Sequence, residues 1–549
     1  MISTGAVEEN LHFLILEVIR QVERTRTYLR RPTEKTHDII LRGDDYIDHL
    51  RTIIQRKCFA LVRDVDQNDR FEMELLKSLD SITANLERIA DFCESIVDQF
   101  QHLDDPESVQ SLPIESNFEL IIQGLERIEP VLESREVQGA LEICRIEARL
   151  DDLHAETFAQ VLRDLDAGAH AQSQVTLLFM SHYFERMGDS ILNIGEALLS
   201  ATVGERIKID QFRVLQDMVE DAGSILADVS PDMLSVQALG ETRSGCRIDR
   251  IAGRSGDDEE RMVVFKEGAT EKLVEEKEGI DAWNRRLPGY APQIYSFQER
   301  GNHGAILFEY LPGRTFEEMV LRSNTEELAA GVARLQRALE DIWTTTRQAD
   351  PAFPRFVQQM RSRIGKVYEL HPDFEQGNVS LGGLEVAPFD ELLDRAAPLD
   401  DVLAAPFSVL GHGDLNVDNV IYDYAVDSIR FIDLHRSAPA DYAHDLSVFL
   451  VSHARLQVTD RAVRDRIHQV IASMHDFGVD FADRNGDKTF GVRLAMGLAR
   501  SFITSARFVL DEEFAKSLFF RGRYLLEQLV GLPPKAVEDY SAPLEILLD

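Results

Sequence analysis

Cysteine is scarce in this chain. Four are present in 549 residues (Cys58, Cys93, Cys144 and Cys246), none at metal- or redox-motif spacing from another. A disulfide framework, a thiolate metal site and a thiol–disulfide motif are thereby set aside, and reduced thiols in the cytoplasm are expected. Long apolar runs are missing as well. No segment reaches the roughly 20 residues of a membrane-crossing helix, and the opening Met1–Asn10 lacks a signal-peptide pattern. Positive charge is in deficit, with 59 Lys and Arg against 96 Asp and Glu and a net charge of −37. Phosphate backbones are held by clustered basic residues, so nucleic acid is not an expected partner. The acidic excess favours solubility and is compatible with bound cations. Length and apolar content are ample. At 549 residues and 44% hydrophobic, the chain exceeds what one core organises and predicts two or three domains.

The densest chemistry lies between Gly411 and Asp445. The chain reads G-H-G-D-L-N-V-D-N-V-I-Y-D, a short turn, then I-R-F-I-D-L-H-R and D-Y-A-H-D-L. Asp414 and Asn419 fall on a loop between two short apolar strands. Asp433 follows a strand at Ile429–Ile432 that is predicted to return beside Val420–Tyr422. This spacing suits phosphoryl transfer, which needs a base at the acceptor hydroxyl and a cation across the phosphates. Asp414 is the candidate base, and Asn419 and Asp433 are hard oxygen ligands for Mg²⁺. Asp and Asn also favour turns for local hydrogen-bonding reasons, so a purely structural hairpin is the competing account of each residue taken alone. The joint pattern H-G-D-x4-N, strand, I-D weighs against it.

Those residues resemble the catalytic core of the aminoglycoside phosphotransferase/choline kinase-like family, which has a protein-kinase-like fold. The resemblance implies ATP and Mg²⁺ as cofactors, Asp414 as catalytic base, Asn419 and Asp433 as metal ligands, and His412 as support of the loop. Asp445 stands where the family keeps a structural Asp. Two departures are visible: Asn416 where many members carry His, and Leu434-His435 where others have an aromatic residue or Gly.

Residues 1–215 carry helical periodicity throughout, as at Leu11, Leu14, Ile15, Val18 and Ile19, and at Ile39, Ile40, Ile47 and Leu50. Breakers fall at Pro32, Pro106, Pro113 and Gly168, and long helices with short joints predict a bundle. An internal repeat runs through it. Leu86-Glu87-Arg88-Ile89-Ala90-Asp91 returns as Phe184-Glu185-Arg186-Met187-Gly188-Asp189, from Glu87 to Glu185 an offset of 98 residues. Upstream, the segment around Asp48 is echoed around Asp151, an offset of 103. Two related three-helix bundles in tandem are expected. Four-residue spacing puts Glu87 with Asp91, and Glu185 with Asp189 and Asn193, on common helical faces. An exposed acidic face explains this, and so does an oxygen-ligand site for Mg²⁺, Mn²⁺ or iron. The repeated E-R-x-x-D, continuing to N-I-x-E in the second copy, resembles the PhoU family over roughly residues 8–205. PhoU proteins are metal-binding paired bundles that regulate phosphate uptake and signalling. By position, Glu87, Asp91, Glu185, Asp189 and Asn193 become metal-ligand candidates, with Ser95 in place of an expected Asn. The resemblance also implies a phosphate-transporter or sensor component as partner, and it leaves a homo-oligomer open.

An amphipathic linker helix is expected over 211–235, with Ser230-Pro231 as the boundary. Strands are then expected at Val236–Gly240, Cys246–Ala252 and Met262–Lys266. The connection through Ser244 and Gly245 offers backbone N–H groups to phosphates, or is an ordinary hairpin. Lys266 ends a strand where kinases place the lysine for the α- and β-phosphates. On the following helix, Thr270–Arg286, Glu276 is the expected lysine partner and Glu275 the competitor. Ile306–Gly313 reads as a strand leading into a turn, which is either an ordinary strand exit or, as the resemblance implies, the hinge where the backbone amides of Glu309 and Leu311 meet adenine. Helices are expected at 325–348, 353–370 and 388–404, a loop at Gly377–Gly383, and an all-helical remainder after Asp445.

The whole reads as multidomain, α plus α+β: tandem three-helix bundles at 1–210, then a bilobal protein-kinase-like domain at 236–549, with a small lobe to about 313. The expected function is an ATP- and Mg²⁺-dependent phosphotransferase acting on a hydroxyl and regulated by the PhoU-like part. The alternative is a non-catalytic nucleotide-sensing regulator of phosphate transport.

Overall fold

The computed structural model describes residues 4–63, 70–221, 234–241, 247–254, 260–377, 379–381 and 384–548. The chain divides into two compact units, Met1–Lys266 and Glu267–Asp549.

The first unit contains six long helices: α1 Thr4–Arg30, α2 Glu34–Val62, α3 Arg70–Phe100, α4 Ile114–Ser134, α5 Val137–Asp166 and α6 Ala171–Val203. Helices α1, α2 and α3 pack on one another, as do α4, α5 and α6, and the two triplets join through α3 against α6 and α1 against α4. The joints follow the chemistry of the sequence. Pro32 stops α1, and the Thr33 side chain then caps α2 by accepting from the Thr36 N–H. The α3 stripe of Leu79, Ile82, Leu86, Ile89, Ala90 and Cys93 is fully buried, the i, i+3, i+4 signature of a core face. One residue departs from the expected pattern: Ile39 is 39% exposed, and the buried stripe of α2 runs through Ile40, Ile47, Leu50 and Ile54 instead.

Helix α7, Ile209–Asp221, buries Phe212, Leu215, Met218 and Val219 as its pattern predicts. The rest of the expected linker, including Ile225, Leu226 and Ser230-Pro231, lies outside the described residues. Strand β1, Leu234–Glu241, pairs antiparallel with β2, Arg247–Arg254, placing Val236 opposite Ile251. Strand β3, Glu260–Ala269, carries the chain into the second unit.

That unit begins with α8, Thr270–Arg286, followed by the antiparallel hairpin of β4, Ile294–Arg300, and β5, His303–Glu309. The short β6, Arg314–Thr315, leads into α9, Phe316–Arg322, which opens on a capping box between Thr315 and Glu318. Helices α10, Thr325–Thr345, and α11, Phe356–Leu370, follow. The expected start of α11 at 353 is delayed because Pro354 disfavours helical backbone before it. Around the expected loop at 377–383, β7, Val379–Leu381, and β8, Leu384–Val386, pair as a small hairpin. The single helix expected over 388–404 is two, α12 Phe389–Ala396 and α13 Leu399–Val402, parted at Pro398. Then come β9 Val409–Gly411, β10 Val420–Asp423, β11 Ser428–Phe431 and β12 Ala438–Ala440, and the helices α14 Tyr442–Ala454, α15 Arg461–Arg484, α16 Phe490–Ser505 and α17 Glu512–Val530. Strand β10 lies between β11 and β6, and β9 pairs with β12. The fold is thus multidomain, tandem three-helix bundles and an α+β unit.

A continuous apolar core, with Trp283, Trp343, Phe356, Tyr442 and Phe449 among its members, lies beneath the β9–β11 segment. In it, the fully buried Arg493 of α16 is paired with both Asp441 and Asp487, and Asp487 also accepts from the Tyr442 hydroxyl at 2.6 Å. Buried charge persists only when paired in this way.

Candidate active site

Between β9 and β10 the chain makes a tight loop closed by the Asn416 N–H on the Asp414 carbonyl (2.7 Å) and the Asn419 N–H on the Asn416 carbonyl (3.1 Å). Its entry is fixed from below. The buried carboxylate of Asp445, on α14, accepts the backbone N–H groups of His412 at 2.6 Å and Gly413 at 2.9 Å. Burial alone would raise the Asp445 pKa, but the hydrogen bond and charge of His444, the charge of His412 and the donated backbone N–H hold it below its ordinary value. Gly413 has φ +82°, and a Cβ there would lie 2.3 Å from the Arg436 carbonyl oxygen, so only glycine fits. His412 is 2% exposed. Its Nδ1 lies 3.3 Å from the Asp414 N–H and accepts from it, which assigns the proton to Nε2. Burial pushes the His412 pKa down against the pull of Asp445, Asp414 and Asp433, so the ring is neutral near pH 7 and acts as a brace for the loop.

The three residues singled out for chemistry converge here. The Asn419 side-chain amide donates to the Asp414 carbonyl at 2.9 Å, and the Ile432 N–H donates to the Asn419 carbonyl at 3.1 Å. Asn419 is therefore tied to both the Asp414 loop and the segment that carries Asp433. Asp433 sits at φ 61°, a left-handed position that Asp tolerates better than most residues, with His435 Nδ1 at 3.1 Å from its Oδ1. The donor set fits a magnesium ion. With its NH₂ committed to Asp414, Asn419 keeps Oδ1, a hard oxygen of the kind magnesium takes, and Asp433 adds carboxylate oxygens, Oδ1 facing His435 Nδ1. Asp414 is held by Asn416 Nδ2 at 2.6 Å from Oδ1 and by Arg436 Nη1 at 3.0 Å from Oδ2.

Helix α8 is anchored to this loop by residues the sequence reading did not single out. Gly279 lets the helix backbone approach so closely that a Cβ would stand 2.2 Å from the Leu434 carbonyl oxygen, just after Asp433. Trp283 donates from Nε1 to Ser437 Oγ at 2.5 Å and packs edge-on to His412 at 6.2 Å. The only sequence signal for either was its place on the same helix face as Glu276, at i+3 and i+7. On α8, Glu276 is buried and Glu275 is exposed. Lys266, on β3, is 4% exposed. The Glu309 N–H, expected to meet adenine, instead donates to the Gln293 carbonyl at 2.8 Å, and its side chain accepts from the Gln293 N–H and faces Arg430. That residue therefore offers its carbonyl rather than its amide, while Leu311 is buried two residues on. Ser244 and Gly245 lie outside the described residues.

In the helical unit, the repeated carboxylates meet partners from the neighbouring helix. Asp44 is pushed up to about 7 by burial and by Asp91, Glu94, Glu87 and Asp45. Glu87 and Asp91 are raised first by burial, although Arg51 lies 2.6 Å from Glu87. In the second triplet, Glu147 and Asp151 on α5 are raised by burial and by Asp189, with Glu185 acting on Asp151. Arg186 pairs with Asp189 at 2.7 Å, and Asn193 donates to Asn85 across the triplets at 3.3 Å. Asp44 and Glu147 were missed, although they stand 103 residues apart, the offset already visible from Asp48 to Asp151. Among the described residues, no group of three or more His, Cys, Asp or Glu side chains is arranged to hold a metal ion. No helix among them is long and apolar enough to cross a membrane.

Comparison with known proteins agrees with this division. The PhoU domain matches residues 14–100 and 114–198, and the phosphotransferase enzyme family matches residues 254–487. A phosphate-specific transport system accessory protein PhoU homolog of Clostridium acetobutylicum is 21% identical over 209 residues, 37% of this chain and 95% of the relative. Another from Xylella fastidiosa is 26% identical over 210 residues, 36% of this chain and 86% of the relative. Among solved structures, an aminoglycoside-3'-phosphotransferase of type VIII is 19% identical with a TM-score of 0.31, covering 54% of this chain and 94% of that one. The chain thus joins a PhoU-like domain to a domain similar to the phosphotransferase enzyme family.

Proposed function

We propose that this protein is an ATP- and Mg²⁺-dependent phosphotransferase acting on a hydroxyl, regulated through its PhoU domain in response to phosphate or metal. The observation that carries the reading is the convergence of Asp414, Asn419 and Asp433, joined by the Asn419–Asp414 and Ile432–Asn419 hydrogen bonds. Asp414 orients the acceptor hydroxyl and takes its proton as the oxygen bonds to the γ-phosphorus and the bond to the ADP oxygen breaks. Asn419 and Asp433 would hold Mg²⁺, which supplies charge neutralisation on the phosphates. His412 and Asp445 keep the loop rigid. Lys266 would meet the α- and β-phosphates with Glu276 as its partner, and the Glu309 carbonyl and Leu311 N–H would receive adenine. Replacing Asp414 with Asn is expected to lower transfer roughly 10²–10⁴-fold, with the thermal midpoint little changed. Full activity in that variant would remove the base assignment.

The second reading, a nucleotide sensor without catalysis, draws on the engagement of both Asp414 oxygens, by Asn416 and by Arg436. Tight Mg²⁺-dependent ATP binding without turnover, unaltered by Asp414→Asn, would favour it. In the PhoU domain, Glu87, Asp91, Glu185, Asp189 and Asn193, joined by Asp44 and Glu147, would hold Mn²⁺ or iron. Metal analysis of the purified protein, with the thermal shift on adding Mn²⁺, tests this. No bound metal together with no shift would end it.

A further inference from the structure

Around Asp414 the deficit of positive charge seen over the whole chain is reversed. Arg436 reaches Asp414 directly at 3.0 Å, and Arg455, just past the end of α14, donates to Asn416 Oδ1 at 3.2 Å and to Ser505 Oγ at 3.3 Å. Arg500, on α16, is 5% exposed, and its Nε and Nη2 are buried without a hydrogen-bond partner among the described residues. Its guanidinium lies 5.4 Å over the Phe356 ring, which itself stacks on His444, the neighbour of the loop-holding Asp445. Arg363 stands seven residues after Phe356 on α11 and so shares its face. Arg507 follows in the short 3₁₀ turn after α16.

These cations sense one another. Burial, then Arg363, pushes Arg500 down to about 9, and burial, then Arg363 and Arg436, pushes Arg507 down to about 10, so both stay charged near pH 7. Arg363 is lowered by burial and by Arg436. The carboxylates acting on the group are Asp414 and, on Arg500, Asp445. Both are committed, one to the catalytic loop and one to its backbone. A buried guanidinium with unsatisfied donors is costly, and a bound anion is one way such a group is completed. Guanidinium forks match phosphate and carboxylate oxygens in pairs.

We propose that the acceptor is an anion: a hydroxyl compound that also carries a phosphate or carboxylate group, seated on Arg363, Arg500 and Arg507 with its hydroxyl at Asp414. This rests on the kinase reading for the word acceptor, and for the anion on the buried Arg500 guanidinium, with α11 and the 3₁₀ turn of Arg507 packed on α16. A cationic amino alcohol or aminoglycoside is disfavoured at such a site by like-charge repulsion.

The test is calorimetric titration of the full-length protein, without nucleotide, using inorganic phosphate and malonate as probes. Wild type is compared with Arg500→Gln and, because Arg500 is buried, with the half-buried Arg363→Gln. Binding of either probe weakened about tenfold or more in Arg363→Gln supports the anion site. A preference for phosphate points to a phosphorylated acceptor, and one for malonate to a carboxylate. Equal affinities in wild type and Arg363→Gln, or no binding of either probe up to about 10 mM, overturns the proposal. A parallel Mg²⁺-ATP titration separates the two readings. Anion binding intact with no ATP binding would sink the kinase reading and leave the site, whereas ATP turnover onto a neutral or cationic alcohol in preference to anionic ones would sink the anion proposal and leave the kinase.

Discussion

Asp445 shows how a single residue outside the chemistry fixes it. Its two oxygens take the N–H groups of His412 and Gly413. Replacing Asp445 with Ala orphans the buried His412 N–H, at about 1–3 kcal/mol, and the part-buried Gly413 N–H at less. A drop in thermal midpoint together with loss of turnover is expected. A variant of wild-type stability and activity would contradict the role. Because its folded pKa is depressed, Asp445 contributes stability above its unfolded pKa near 3.8, and that contribution is lost as pH falls through the lower folded value. Gly413→Ala meets both a left-handed backbone, costing about 1–2 kcal/mol, and the Arg436 carbonyl. Reduced stability and a greater loss of kcat than of substrate affinity are expected from kinetics of the purified variant.

At the scale of elements, two packed pairs carry most of the argument. Helix α8 touches the segment after Asp433 through Gly279, so Gly279→Ala should push the helix from Leu434, costing about 1–3 kcal/mol and raising KM for ATP; unchanged KM would show that the close approach has no functional weight. In the α2–α3 pair, Asp44, Glu87, Asp91 and Glu94 are all raised, so the folded unit binds more protons than the unfolded chain above about pH 4. That makes the contribution of this cluster to stability fall as pH rises through the Asp44 value of about 7. Asp44→Asn should gain on the order of 1 kcal/mol near pH 8, after discounting for its partial exposure, and should flatten the melting profile against pH. A steeper profile would reverse the sign of the argument.

Much of this was legible in the chain. Thr270–Arg286 was expected as a helix and is one, and the expected return of Ile429–Ile432 beside Val420–Tyr422 is the β10–β11 pairing. The 98- and 103-residue offsets exposed the two triplets. What stayed hidden depends on contacts far apart in sequence. Nothing near Gly279 or Trp283 names Leu434 or Ser437 as a neighbour, and nothing near Arg500 names Asp414. The exposure of Ile39 and the commitment of the Glu309 N–H to Gln293 likewise follow from packing and pairing, which local pattern does not encode.

For the whole molecule, the net charge of −37 is a self-repulsion that salt screens. The midpoint of unfolding should therefore rise with moderate NaCl, and a fall would mean that specific ion pairs outweigh the net field. The same acidity makes the arginines near Asp414 a local exception, as the proposed anion site requires. The union of a PhoU-like domain with a phosphotransferase-like domain gives the proposed regulation its motive: the state of one unit would set the turnover of the other. All of this depends on a working nucleotide site. The most direct test is Mg²⁺-ATP binding and turnover by the full-length protein beside Asp433→Asn. The account predicts binding that requires Mg²⁺ and turnover that falls at least about a hundredfold in the variant. Binding indifferent to Mg²⁺, or turnover that survives in Asp433→Asn, would contradict it.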